Sequence, residues 1–184
     1  ESDVDGTYAN NWEYCFLRQW LNETFYNEVF NDLQKEIIQT TRLDNSARSC
    51  NPDEYPTYYP NTYSSQNKPG ENKYAAQCKD TDDKIFLLSL RDITTTEYGF
   101  NKDVLAKDPA RNLQATDFAK FRGAPMDIYE EKYVTWYTRS PSIGSRGGND
   151  GYSTFVLDRH AKGAIDSTDL TPDGGVVPAL WITL

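Results

Sequence analysis

The chain has 184 residues, a formal net charge of −9 and a mean hydropathy of −0.76. That length suits one domain, able to bury about 70% of the surface its unfolded chain exposes. The acidic balance argues against binding nucleic acid or anionic membranes, and no apolar run approaches the ~20 residues that span a bilayer. The 13 Tyr, 8 Phe and 4 Trp set the chain apart from a disordered one.

Residues 1–10 are polar and read as a flexible lead-in. The chain starts at Glu1 without an initiator Met or signal peptide, as a processed product does, and a secretion signal could precede it. From Trp12 the pattern turns helical, with Trp12, Phe16 and Trp20 at spacing four beside Leu17 and Leu21. Asn11 suits the N-cap and Glu13 the first turn. A second helix is expected around Phe30, Leu33 and Ile37. Each helix presents one apolar face and needs a partner surface, most simply a sheet.

Residues 44–83 read as a long Tyr/Asn/Pro-rich loop insertion, almost without aliphatics. Loops of this length inside a compact domain are usually functional or disordered. Lys84 to Leu90 is expected as a buried strand, and Asp92 to Gly99 as starting with a helical turn. Thr116 caps a short predicted helix with Phe118 and Phe121 facing inward. Val134 to Thr138 reads as a strand stopped by Ser140-Pro141. Tyr152 to Leu157 reads as another, with Ala164-Ile165 pairing back as a hairpin, and Val176 to Leu184 as the last. Helices first and strands last make an α+β domain.

Five segments in order resemble the motifs of an uncharacterised bacterial domain family. Phe16 to Asn22, with Phe25 and Phe30, resembles its L-R-x-W-L-N helical segment, and Asp83 to Leu90 its D-K-I-F-L-L-S-L strand. Ala115 to Ala119 resembles A-T-D-Y-A, Trp136 to Pro141 resembles W-W-L-R-S-P, and Gly175 to Ile182 resembles G-V-R-P-A-L-W-L. The resemblance implies a bacterial protein of the cell surface or exterior. The closing pattern is similar to the C-type-lectin-like fold of sulfatase-modifying and formylglycine-generating proteins, which is a fold-level analogy. Two substitutions depart from the family pattern: Val177 stands for the Arg of V-R-P, and Tyr137 for the second aromatic of W-W. Family members usually carry further strands ahead of the helical segment.

The candidate binding residues are Trp136, Arg139, Tyr55, Tyr58, Tyr59 and Tyr63. Arg139 ends a predicted strand and could grip a ligand carboxylate or phosphate, although a structural ion pair is the commoner use of such a residue. The loop tyrosines, set among Ser, Asn and Gly, match the composition of binding loops, or else cover a flank of the domain.

No catalytic residue is assigned. His160 is the only histidine and lies in a polar turn, which disfavours triad chemistry. The last cysteine is Cys78, so the formylglycine-type oxidase reaction has no thiols near the C-terminal strands. Paired carboxylates among Asp80, Asp82, Asp83, Glu130 and Glu131 leave a hydrolase as the alternative, without selecting a pair. Asp80 to Asp83 begins like a calcium loop but lacks its turn glycine and twelfth-position Glu, and Asp166, Asp169 and Asp173 form a looser cluster. The glycines at 144, 147, 148 and 151 lack the Lys-Ser/Thr of a phosphate cradle. No metal or cofactor is expected. Cys50 and Cys78 either pair, closing the insertion for about 3–4 kcal/mol, or remain free thiols beside Cys15.

These readings converge on one α+β domain over residues 1–184, C-type-lectin-like, with N-terminal helices on a twisted, mainly antiparallel sheet. Its expected function is non-catalytic recognition of a glycan or surface protein outside a bacterial cell.

Overall fold

The computed structural model describes residues 11–46, 78–103, 106, 108–124, 133–141, 152–157, 164–169 and 175–183. A 3-10 turn at Trp12–Tyr14 opens it, with the Asn11 side chain accepting the Glu13 amide as N-cap. Helix α1 (Phe16–Trp20), a π-helical turn (Leu21–Phe25) and α2 (Tyr26–Val29) follow without a break. Helix α3 (Asp32–Ile37) begins in a reciprocal capping box between Asn31 and Gln34.

The buried face differs from the one that spacing four predicts. Trp12 is buried, whereas Phe16 is 67% exposed, because the extended backbone at Cys15 resets the helical phase between them. The π turn shifts it again: Leu21 and Tyr26, five residues apart, share the buried face, and the Tyr26 amide bonds the Leu21 carbonyl. In α3, Leu33 and Ile37 are exposed and the burial falls on Ile38 instead.

Strands β1 (Thr41–Leu43) and β2 (Thr81–Asp83) pair antiparallel, with Leu43 opposite Thr81. The insertion is therefore mounted on a two-stranded neck, and its last residues are strand rather than loop. Residues 47–77, including Cys50, Tyr55, Tyr58, Tyr59 and Tyr63, lie outside the described residues, as do residues 1–10, Glu130, Glu131, residues 144–151, His160 and Asp173. Cys78 is a free thiol, and its candidate partner Cys50 lies outside the described residues.

Residues 84–90 are mostly buried but do not form a regular strand. Their sole described bridge joins Phe86 to Ala179. Two 3-10 turns follow at Asp92–Thr94 and Thr96–Tyr98, the second ended by Gly99 in the left-handed region (φ 87°). A third lies at Pro109–Arg111, then α4 (Asp117–Phe121) capped by Thr116. Phe118 and Phe121 point outward, at 73% and 86% exposure.

Strands β3 (Trp136–Pro141), β4 (Tyr152–Leu157) and β5 (Ala164–Asp169) form an antiparallel sheet in chain order. β3 runs on through Pro141, because a register shift between Tyr137 and Pro141 admits a residue without an N–H. The C-terminal segment is not a strand. It touches three elements in turn, at Gly175 (parallel to Trp136), Ala179 (Phe86) and Ile182 (Ile38). Gly175 packs tightly there: a Cβ would stand 3.0 Å from the Thr135 carbonyl oxygen, which would have to move a few tenths of an ångström.

The core has two parts. Trp12, Leu21, Tyr26, Ile38, Leu43 and residues 85–87 pack the helices against the neck and the 84–90 segment. Leu90, Ile93 and Trp136 form the second part, with Val177 against them, and Leu88 packs on both. Burying a side chain such as Leu21 contributes about 1.5–3 kcal/mol.

Candidate functional site

Two frameworks of buried polar contacts fix the walls of the site. In the first, Asp83 is fully buried within β2 and accepts hydrogen bonds from Trp12 Nε1 (3.0 Å), Thr81 Oγ1 (2.8 Å) and Arg18 Nε (2.8 Å), with Arg18 Nη2 at 2.7 Å. Asn22 behaves as a strand partner: its Oδ1 accepts the Lys84 and Ile85 amides, and its Nδ2 donates to the Ile85 carbonyl at 2.8 Å.

In the second framework Arg139 is the hub. Its Nη1 donates to Asp92 Oδ2 and to the Leu87 carbonyl, both at 2.7 Å, its Nε to Asn45 Oδ1 and its Nη2 to the Asp44 carbonyl. Four of its five N–H groups are thereby used. Ser140 Oγ accepts the Leu90 amide, and Ser89 and Asp92 exchange hydrogen bonds that open the Asp92–Thr94 turn.

Arg111, which the sequence reading passed over, is also fully buried. It donates to the carbonyls of Ile93, Asp103 and Asn101 and pairs with Asp108 at 3.4 Å. Burial lowers its pKa, and the charges of Asp108 and Asp103 offset part of that effect. Its own carbonyl holds Trp136 Nε1 at 3.1 Å.

These contacts place two of the candidate binding residues. Trp136 is 1% exposed and has no surface for a ligand; it supports the wall from behind. Arg139 lines the cleft, but as the structural ion pair of Asp92, with one Nη2 hydrogen to spare.

The cleft has a volume of about 830 Å³, within the range of about 300–1,000 Å³ usual for small-ligand sites. Its sides come from β1 and Asp44, from 86–92, from the Thr96–Tyr98 turn with Phe100, and from Ala179 to Trp181. Tyr98 and Trp181 meet edge to face with ring centroids 5.7 Å apart, and remain 50% and 46% exposed. Trp181 is thus a cleft residue. The C-terminal segment holds it in place: Gln39 donates to the Trp181 carbonyl and Thr183 to that of Ile37, each at 2.9 Å. Arg42, Arg91, Arg139, Asp44, Asp92 and Glu97 supply the charges.

Burial would raise the Asp44 carboxyl, but hydrogen bonds from Ser46 and the charges of Arg91 and Arg139 outweigh it and hold the group below its ordinary value. Hydrolysis by paired carboxylates needs one acid kept protonated near neutrality. Asp44 is held the opposite way, and Asp92 is committed to Arg139 and the Ser89 amide. Asp80 and Asp82 lie on one face and both pair with Arg42, which leaves neither free to act as a catalytic acid, while Asp83 turns to the other face. Asp82 pairs with Arg42 at the surface, Asp83 is turned inward, and Asp80 accepts the Asn45 amide. Among the described residues no group of three or more His, Cys, Asp or Glu is placed to hold a metal ion.

The family model for a domain of unknown function (DUF6273) matches residues 1–184. The chain belongs to that family. No curated protein and no solved structure matches it. In this DUF6273 domain no described helix is long and apolar enough to cross a membrane.

Proposed function

We propose that this DUF6273 domain is a non-catalytic recognition domain and that its cleft holds a glycan. One observation carries the reading: a concave site whose wall keeps two aromatic rings, Tyr98 and Trp181, half open to water. Half-exposed rings of this size retain apolar surface that a ligand can cover. A sugar ring suits such a wall, since its C–H face lies on an aromatic ring while its hydroxyls reach carboxylate and guanidinium groups at the rim.

A peptide fits less well. Strand addition needs open backbone groups, yet Phe86 and Ala179 already bond each other in both directions, the Trp181 carbonyl is held by Gln39, and the Leu88 carbonyl by Arg139. The C-type-lectin-like class and the extracellular bacterial setting belong to the same proposal. The long insertion, the N-terminal helices and the antiparallel β3–β4–β5 sheet support the class; the motif resemblance supports the setting.

A glycan and peptide array probed with the intact chain and with Trp181→Ala tests this. The expected result is a saccharide signal that the variant loses. Binding confined to peptides, or release of reducing ends from a polysaccharide, would overturn it.

A further inference from the structure

The charges of the cleft point to a narrower class of ligand, an inference that rests on the saccharide reading of the same site. Arg139 is neutralised by Asp92 at 2.7 Å, and Arg42 by Asp82 at 2.9 Å. Arg91 lines the same cleft as two further carboxylates, Asp44 and Glu97, and its charge helps hold Asp44 ionised. Asp44 accepts hydrogen bonds from both the amide and the side chain of Ser46 and stays ionised, with carboxylate lone pairs beyond those two contacts. Glu97 is exposed, and its one described hydrogen bond, at Oε2, is the weak contact from the Thr96 hydroxyl at 3.3 Å. Both carboxylates border the cleft that carries the Tyr98 and Trp181 rings, and Glu97 adjoins Tyr98 in the Thr96–Tyr98 turn.

Ionised carboxylates beside aromatic faces favour a donor that is positively charged, because carboxylate and ring quadrupole both attract it. The net charge of −9 adds a long-range attraction of the same sign. A neutral hydroxyl uses neither effect. We propose that the cleft selects a saccharide bearing a free ammonium group, an amino sugar of the glucosamine type, over its N-acetylated form. Asp44 stays ionised at mildly acid pH, so the attraction persists where the amine is fully charged.

Calorimetric titration of the intact chain at about pH 6 and low salt, with glucosamine oligomers and N-acetylglucosamine oligomers of equal length, tests the selection. The amine form should bind about fivefold more tightly, the size of one exposed cation–aromatic contact. In the Asp44→Asn/Glu97→Gln double variant that preference should disappear, the amine and N-acetylated oligomers then binding with equal affinity. Asn retains the acceptor for Ser46, and a matching thermal unfolding curve establishes that the variant is folded. Equal affinity for the two forms, or a preference that survives in the double variant, would overturn the amino-sugar inference and leave the saccharide reading standing. Binding of neither form nor of any neutral saccharide would overturn both.

Discussion

Arg18 and Arg139, 121 positions apart in the sequence, are the two ends of one chain of hydrogen bonds. Arg139 Nε donates to Asn45 Oδ1, Asn45 Nδ2 to Thr81 Oγ1, Thr81 Oγ1 to Asp83 Oδ2, and Asp83 Oδ1 receives Arg18. The chain passes through β2 of the neck and through Asn45, two residues beyond β1. It ties the L-R-x-W-L-N segment to the R-S-P segment. A buried polar network is costly when incomplete and rigid when satisfied. The signature motifs are therefore a frame, and the frame sets the positions of the cleft walls.

Arg139→Lys should destabilise the domain by about 3 kcal/mol, since an ammonium cannot serve the carbonyls and Asp92 together and leaves buried acceptors unpaired. Urea unfolding measures this. A loss under about 0.5 kcal/mol, the usual range of a surface substitution, would contradict the hub assignment.

Asn22→Ala removes three contacts to the backbone of Lys84 and Ile85. Leaving those groups without partners should cost about 2–3 kcal/mol. A thermal melt should show a drop of about 4–12 °C for a domain of this size. An unchanged melting temperature would mean that water replaces the side chain without loss.

Phe118→Ser and Phe121→Ser should each change stability by less than about 0.5 kcal/mol, because both rings face solvent beside a sound Thr116 cap. Had the apolar spacing placed them inward, the loss would be about 3–5 kcal/mol each. Denaturant midpoints distinguish the two directly.

Much of the secondary structure was legible along the chain. The Tyr152–Leu157 strand, its return at Ala164 and the Thr116 cap all announce themselves within a few residues. The neck was not, since β1 and β2 have three residues each and meet across the insertion. Helix phase was lost at Cys15 and at the π turn, where a 3.6-residue period no longer applies. The C-terminal segment looked like a strand because its residues are apolar, yet Pro178 and three successive partners prevent a ladder. Tyr98 and Trp181 escaped notice because a cleft is a tertiary property: their spacing in sequence says nothing about their contact.

Cys78 should be a slow nucleophile. Burial pushes its thiol up to about 11, so the neutral form is favoured in the folded state. The folded value lies above the ordinary 9.0, so this stability is fully present below about pH 9 and is lost as the pH rises towards 11. Alkylation by iodoacetamide should show a half-point near 11 for the folded Cys78 and near 9 after denaturation. Asp44 has the opposite sign: its folded value is depressed, so its contribution is present above the ordinary 3.8 and fades as the pH falls through the lower folded value. Asp44→Asn should therefore flatten the acid limb of the stability profile.

The central claim is that the motifs build the frame while Tyr98 and Trp181 meet the ligand. Calorimetric titration of the Tyr98→Ala/Trp181→Ala variant with the saccharide that the intact chain binds tests it most directly, with urea unfolding run alongside. The account predicts binding weakened by at least tenfold in a variant that still unfolds cooperatively, its stability lowered by about 2–5 kcal/mol through the loss of two half-buried rings. Unchanged binding by a folded variant would contradict it.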